Sequence, residues 1–311
     1  MRRIAIDRTG IDMKIGIAGT GRMGAAIAGR LMGCGHELIV WNRTAEKTRA
    51  LAAAGAKVAA TPAQLAAEAD IIITILTDVD AIRSAYLGTD GLLSGNVAGR
   101  LFIEMSTVRP ENQRSLALEI GKKGAAMVEC PVGGTVGPAK DGKLLGFIGG
   151  ESGDVACAKP ILDQLCRRAE HVGPIGAGAS MKLAVNLPLL VYWQALGEAL
   201  SLCKSLELDP ARLMDLFADS SGGPNVLKVR GSALAAALGG KEISPVTFNV
   251  DLIRKDLTTM IDEARALGRT LPVTERALEC FDAAARQGFG EDDGAMLPVR
   301  WVRGESKGER K

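Results

Sequence analysis

The chain has 311 residues, 47% of them hydrophobic, which is enough for a buried core and typical of two domains. There are 38 lysine and arginine residues against 36 aspartate and glutamate residues, so the formal net charge is only +2. This balance argues against nucleic acid or an anionic membrane surface as a partner. The six cysteines lack CxxC pairs and metal-ligand spacing, which predicts free thiols, no metal site and a cytoplasmic protein.

The amino-terminal segment, residues 1–13, carries three arginines but no apolar stretch of signal-peptide length. We expect a flexible leader there, with Met13 as an alternative start. The most apolar stretch, residues 183–202, is interrupted by Asn186, Pro188 and Glu198. A core helix is therefore favoured over a membrane span.

From residue 14 to residue 172, short β-rich runs alternate with helical stretches, a pattern typical of a parallel sheet flanked by helices. The predicted strands are 14–18, 37–41, 71–76, 101–105, 125–129, 144–148 and 169–172, and the predicted helices are 23–33, 45–53, 110–122 and 155–166. This alternation predicts an α/β Rossmann-type domain.

After the glycine-rich segment 173–178 the strand signals end, and the pattern becomes helical. Helices are predicted over 181–205, from the Asp209-Pro210 start signal, over 245–267 and over 272–287. We therefore predict a nucleotide-binding domain at 14–175 and an all-α domain at 176–302, joined by a long helix. Residues 303–311 are expected to be a disordered tail.

A glycine fingerprint follows the first predicted strand directly and opens a helix. It consists of Gly19, Thr20, Gly21, Arg22, Met23 and Gly24. In this motif Gly19 permits a tight turn, Gly21 lets backbone approach a pyrophosphate, and Gly24 lets helix and strand pack closely. The N–H groups at the start of the helix then hold the phosphates, so the context predicts a dinucleotide site.

The end of the second strand selects between NAD and NADP in such domains, because an acidic residue there binds the ribose 2′-hydroxyl. This chain has Asn42-Arg43-Thr44 instead, and the nearest carboxylate that follows is Glu46. Arg43 is suited to pair with a 2′-phosphate, while Asn42 and Thr44 are suited to donate hydrogen bonds to it. The predicted cofactor is therefore NADP.

Lys182 and Asn186 are four residues apart in the long predicted helix, so their side chains share one face. A lysine at the start of an apolar helix can serve as a general acid or base when desolvation lowers its pKa. The same spacing is also common for an ordinary surface pair. Spacing alone leaves both interpretations open.

The chain resembles the β-hydroxyacid dehydrogenases, which include 3-hydroxyisobutyrate dehydrogenase and the tartronate- and succinic-semialdehyde reductases and share an NADP-binding domain with 6-phosphogluconate dehydrogenase. Several motifs carry the resemblance in order along the chain. They are the fingerprint Gly19–Gly24, the loop Ser106-Thr107 with Pro110, the glycine-rich loop Pro131-Val132-Gly133-Gly134, the segment from Gly176 to Lys182 and Asn186, the triplet Lys255-Asp256-Leu257, and the carboxyl-terminal segment 288–293.

The resemblance implies roles for individual residues. Lys182 would donate the proton in carbonyl reduction with help from Asn186. Residues implied to bind substrate are Thr107, Gly133, Gly134, Thr135, Phe248 and Asp256, and those implied to contact the cofactor, besides the fingerprint and Asn42, Arg43 and Thr44, are Leu76, Thr77, Thr107 and Lys255. The implied reaction interconverts a small β-hydroxyacid and its semialdehyde or keto acid in a cleft between domains. A homodimer or homotetramer through the helical domain is also implied.

Several positions depart from the family pattern, among them Gly294, which replaces a frequent serine. Gly133 stands where serine is usual, Val185 stands where a first asparagine is common, and Pro188 is expected to kink the helix or free a carbonyl group. These changes leave the substrate open. Alternative functions are imine reduction, which the presence of Lys182 disfavours, and a non-catalytic NADP-binding module.

Overall fold

The computed structural model describes residues 13–304, so most of the expected leader (1–13) and most of the expected tail (303–311) lie outside the described residues. Of these two segments, Met13 is buried and Arg303 belongs to the last helix. The chain forms two compact units, Met1–Leu183 and Ala184–Lys311. The first contains a sheet with helices, and the second is helical. This confirms the predicted fold class.

The first unit is built on one sheet, whose strands in spatial order are β3-β2-β1-β4-β5-β6-β8-β7, with β9 beside β8. The strands are Ile15–Ala18 (β1), Leu38–Trp41 (β2), Lys57–Val58 (β3), Ile71–Thr74 (β4), Leu101–Glu104 (β5), Ala126–Glu129 (β6), Val132–Gly133 (β7), Leu144–Gly149 (β8) and Cys166–Gly173 (β9). Strands β1 to β6 are parallel, as predicted. β8 runs antiparallel to β6 and β7, so the sheet is mixed.

Helices cover both faces of this sheet. They are Arg22–Gly33 (α1), Arg49–Ala53 (α2), Pro62–Glu68 (α3), Val79–Leu87 (α4), Pro110–Lys122 (α5), Val136–Lys140 (α6) and Ser152–Leu165 (α7). Because successive side chains of a strand point to opposite faces, Ile71 and Ile73 enter one apolar core and Ile72 enters the other. Burial on both faces explains why the strands read as continuous apolar runs.

The helical part begins with Ala177–Leu202 (α8), which is uninterrupted through Pro188. It continues with Pro210–Asp219 (α9), Asn225–Leu238 (α10), Val250–Ala266 (α11), Pro272–Ala284 (α12) and Leu297–Arg303 (α13). By length and composition alone α8 could cross a membrane, a property that it shares with core helices of globular proteins.

The helix predicted over 245–267 starts later than expected, at Val250. The reason is a side-chain cap: Asn249 Oδ1 accepts a hydrogen bond from the backbone N–H of Leu252 at 3.0 Å. Residues 245–249 lead into the helix and do not belong to it.

Candidate active site

Most of the predicted cofactor residues lie at one edge of the sheet. β1, β2, β4, β5 and β6 are parallel neighbours, so their carboxyl ends meet at that edge. The fingerprint follows β1, Asn42 follows β2, Leu76 follows β4 and Thr107 follows β5. In open α/β sheets, ligands bind at this edge.

The glycine loop has the geometry that the fingerprint requires. Gly19 has a φ angle of +102°, which favours glycine, and a Cβ atom added at Gly24 would lie 1.8 Å from the carbonyl oxygen of Gly19. A Cβ at Gly21 would meet nothing within 4 Å. Packing therefore explains Gly19 and Gly24, whereas the open space at Gly21 is available to a ligand.

The start of α1 is also suited to an anion. Gly21 is its N-cap without a side-chain hydrogen bond, and the first turn contains no acidic residue. Its N–H groups and the positive end of the helix dipole are not neutralised by a carboxylate in that turn. The residues present thus fit a dinucleotide pyrophosphate.

The turn after β2 is joined to the glycine loop through Asn42. The carboxamide oxygen of Asn42 accepts a hydrogen bond from the N–H of Thr20 at 3.0 Å, and its nitrogen donates to the carbonyl oxygen of Thr44 at 3.0 Å. Asn42 therefore organises both loops. Arg43 and Thr44 are exposed beside it.

A buried network connects the loops that contain Leu76 and Thr107. Ser106 Oγ accepts a hydrogen bond from the N–H of Leu76 at 2.8 Å, and Glu104 Oε1 accepts one from the N–H of Ser106 at 2.6 Å. Glu104 also accepts a hydrogen bond from the Thr74 hydroxyl. Burial raises the pKa of the Glu104 carboxyl.

Sequence reasoning did not identify Glu104, and it named Ser106 only as part of a motif, without a role. A signal was present, because Glu104 is an acidic residue that ends an otherwise apolar strand. Thr77 follows Leu76 in the loop after β4. It is exposed, and its hydroxyl donates a hydrogen bond to Asp78 Oδ2 at 3.0 Å.

The loop implied to bind substrate begins in β7. Gly134 has a φ angle of +121°, and a Cβ there would lie 2.9 Å from Leu144 Cδ2, so glycine is needed. At Gly133 a Cβ would meet only ordinary contacts, the nearest being 3.7 Å from Leu145 Cβ. The absence of a side chain at Gly133 is thus not imposed by packing. Thr135 is the N-cap of α6, without a side-chain cap hydrogen bond.

The start of α8 is held by a carboxylate that sequence reasoning also missed. Glu129, the last residue of β6, accepts hydrogen bonds at Oε1 from the N–H groups of Gly176 at 2.5 Å and Gly178 at 2.9 Å. Burial raises the pKa of the Glu129 carboxyl to about 7, although these backbone donors act to lower it. Lys182 follows one turn after Gly178 and is itself buried, with 8% of its surface exposed.

In the helical unit, the structure brings three further predicted residues together. Asp256 is buried, and its Oδ2 accepts a hydrogen bond from Asn186 Nδ2 at 3.2 Å. Asp256 Oδ1 lies 2.7 Å from Lys255 Nζ. Phe248 is half-buried in a segment before α11. Asn186, Asp256 and Lys255 therefore form one polar cluster.

Comparison with known proteins gives two family matches, one in each part of the chain. The sequence profile of the NAD-binding domain of 6-phosphogluconate dehydrogenase matches residues 14–173. The profile described as the NAD-binding domain of NADP-dependent 3-hydroxyisobutyrate dehydrogenase matches residues 176–300. Together these profiles span both units.

Two curated relatives match over nearly their full length. A 3-hydroxyisobutyrate dehydrogenase of Pseudomonas aeruginosa is 33% identical over 88% of this chain and 92% of its own. A 3-sulfolactaldehyde reductase of Escherichia coli is 33% identical over 91% of this chain and 94% of its own. The solved structure of 3-hydroxyisobutyrate dehydrogenase from Mycobacterium tuberculosis with L-serine has a TM-score of 0.79 and 26% identity, covering 92% of this chain and 98% of its own.

The chain therefore belongs to the β-hydroxyacid dehydrogenase family, with a 6-phosphogluconate dehydrogenase-type nucleotide-binding domain and a 3-hydroxyisobutyrate dehydrogenase-type helical domain. It is an NAD(P)-dependent oxidoreductase that acts on CH–OH groups. This confirms the family predicted from the motifs. The roles of individual residues stay predictions.

Proposed function

We propose that the chain is an NADP(H)-dependent reductase of small carbonyl compounds that carry an acidic group, with Lys182 as the general acid in reduction. The observation that carries this proposal is the burial of Lys182, which is only 8% exposed. Its helix begins against Glu129, at the sheet edge where the glycine loop also lies. A desolvated amine at such an edge is suited to proton transfer.

The preference for NADP over NAD is inferred from the turn after β2. Arg43 is exposed, and the turn offers asparagine and threonine where NAD-selective domains have an acid. A guanidinium group pairs well with a phosphate through two parallel hydrogen bonds. The profile that matches residues 176–300 is also described for an NADP-dependent enzyme.

The dinucleotide, when bound, supplies the hydride. The chain contributes binding by the N–H groups at the start of α1 and at the Gly133–Gly134 turn, the latter suited to a substrate carboxylate. Lys182 delivers a proton to the carbonyl oxygen of the substrate as that oxygen gains charge. Asn186 is proposed to assist, and Thr107 and Phe248 to line the substrate.

The substrate class is inferred from the relatives, whose names specify 3-hydroxyisobutyrate and 3-sulfolactaldehyde. Both compounds are small and carry an anionic group near the reacting carbon. Gly133 lacks the hydroxyl group that a serine would place there, and we infer that this loop therefore accepts a different range of anionic groups. We therefore propose a three- or four-carbon aldehyde or keto acid.

A substrate screen tests this proposal. Purified protein with NADPH is offered tartronate semialdehyde, succinic semialdehyde, methylmalonate semialdehyde, glyoxylate, 3-sulfolactaldehyde and a cyclic imine, and oxidation is followed at 340 nm. We expect at least one acid-bearing aldehyde to be reduced faster than the imine. NADPH binding without any reduction would favour a non-catalytic module, and preferential turnover of the imine would favour imine reduction.

We also propose a cytoplasmic protein that assembles as a homodimer or homotetramer. The six cysteines are all free, which suits a reducing compartment. The helical unit exposes large apolar side chains, including Leu202, Leu216 and Val229. Light scattering on the purified protein should give twice or four times the 32.5 kDa chain mass, and a value near the chain mass would refute assembly.

A further inference from the structure

Glu129 caps α8, the helix that carries Lys182, from a different element of the fold. Its carboxylate comes from β6, and it meets the backbone N–H groups of Gly176 and Gly178, 47 and 49 residues further along the chain. Gly176, directly before α8, has no side chain that could supply this cap. The position of the first turn of α8 is therefore set by a strand of the sheet.

Three glycines make this contact possible. A Cβ at Gly149 would lie 2.2 Å from Glu129 Oε1, and a Cβ at Gly178 would lie 2.3 Å from the carbonyl oxygen of Phe147. Gly176 has a φ angle of +99°, which favours glycine. The backbone of β8 and the start of α8 thus close tightly around one carboxyl group.

The contact leads directly to Lys182. Gly178 and Lys182 are four residues apart, so they lie on the same face of α8, one turn and about 6 Å along the axis. Glu129, Gly178 and Lys182 all belong to the first unit of the chain. A shift of the first turn would therefore carry the Lys182 amine with it.

We propose that Glu129 is a positioning residue that sets the place of the Lys182 amine by anchoring the first turn of α8 to β6. This inference rests on the proposed role of Lys182. To anchor the helix, the side chain of residue 129 must be long enough to reach the N–H groups of Gly176 and Gly178. The hydrogen bonds are strengthened by the negative charge of the carboxylate and by the helix dipole. Substitutions at position 129 can change the side-chain length and the charge separately.

Glu129→Gln keeps the reach and removes the charge. The other carboxyl oxygen, Oε2, is buried without a hydrogen-bond partner among the described residues, so an amide nitrogen in its place breaks no bond. Glu129→Asp keeps the charge but is one methylene too short. Because a displacement of about 1 Å can cost on the order of 100-fold in rate, Asp is the more damaging change.

The experiment measures kcat and KM for NADPH in wild type, Glu129→Gln, Glu129→Asp and Glu129→Ala, with Glu170→Gln as the control. Glu170 is an exposed residue of β9. We expect kcat to fall about 10- to 100-fold in the Asp and Ala variants and about 5-fold or less in the Gln variant. KM for NADPH should stay within about 2-fold, because the glycine loop is untouched.

Hydrogen exchange of the peptide covering residues 174–183 provides a readout independent of turnover. Exchange should be faster in Glu129→Asp than in Glu129→Gln, in the same order as the loss of kcat. An Asp variant as active as the Gln variant, or faster exchange with unchanged kcat, would overturn the proposal. If the wild-type protein reduces no carbonyl compound, the proposed function fails first, and the positioning role fails with it.

Discussion

Arg43 is exposed in the turn after β2, and the side chain of its neighbour Asn42 is already hydrogen-bonded. Asn42 bonds to Thr20 and Thr44, so it shapes the turn and leaves Arg43 as the charged group available to a phosphate. At the residue scale, we therefore propose that recognition of the 2′-phosphate depends mainly on Arg43. Charge-assisted hydrogen bonds of this kind contribute about 1.5–3 kcal/mol.

Replacing Arg43 with alanine should raise KM for NADPH about 10- to 100-fold and leave KM for NADH within about 3-fold. The result follows because only NADPH carries the 2′-phosphate. Steady-state kinetics with both cofactors measure it. Arg49→Ala is a matched control, since Arg49 is exposed nearby and lies 3.9 Å from Glu46. Equal losses with NADPH and NADH would refute the role of Arg43.

At the scale of elements, two buried carboxyl groups organise the edge of the sheet where the proposed site lies. Glu104 ends β5 and Glu129 ends β6, and the two residues are paired in register on these neighbouring strands. Glu104 supports the loops that contain Leu76 and Thr107, whereas Glu129 supports the start of α8. The end of each of these two strands thus holds a different segment of the proposed site.

The pKa of Glu129 predicts a pH dependence of stability. Burial, and to a lesser extent Glu104, raises this pKa from 4.5 to about 7 in the folded protein. Between these values the folded state binds more protons than the unfolded state, so this group's contribution to the free energy of unfolding falls as pH rises. At about 1.4 kcal/mol per pKa unit, the loss between pH 4.5 and pH 7 is about 3 kcal/mol.

Urea unfolding of wild type and Glu129→Gln at pH 5, 6, 7 and 8 measures this contribution. The difference in free energy of unfolding, wild type minus variant, should decrease from pH 5 to pH 7 and level off near pH 8. Using the difference cancels the titration of carboxyl groups that do not interact with Glu129, whereas Glu104, its neighbour on β5, is coupled to it. A difference that does not change with pH would show that Glu129 does not titrate in this range.

The elements that the sequence predicted well are those with local signals. The glycine fingerprint, the apolar strands β1, β4 and β5, and the Asp209-Pro210 start of α9 all depend on neighbouring residues. The two-residue strand β7 and the cap at Asn249 were missed, because short elements and caps hardly change the hydrophobic pattern. Glu104 and Glu129 were missed because their partners lie on other elements.

At the scale of the whole molecule, an α/β unit and a helical unit share α8, which carries Lys182 in one and Asn186 in the other. Ordered motifs predicted this family, and the sequence profiles and relatives confirm it. Motifs could not specify the substrate, because Gly133 replaces the expected serine in the loop implied to bind it. Packing does not require glycine at this position, so the replacement points to a difference in the substrate. The proposed chemistry therefore depends on Lys182 more than on any other residue.

The most direct test compares NADPH oxidation by wild type and Lys182→Ala with the best substrate of the screen. Lys228→Ala is the control, because Lys228 is an exposed lysine of α10. Loss of a general acid should reduce kcat about 100- to 10,000-fold, while the Kd for NADPH stays within about 2-fold. A Lys182→Ala variant with kcat within about 3-fold of wild type would contradict the role of this amine.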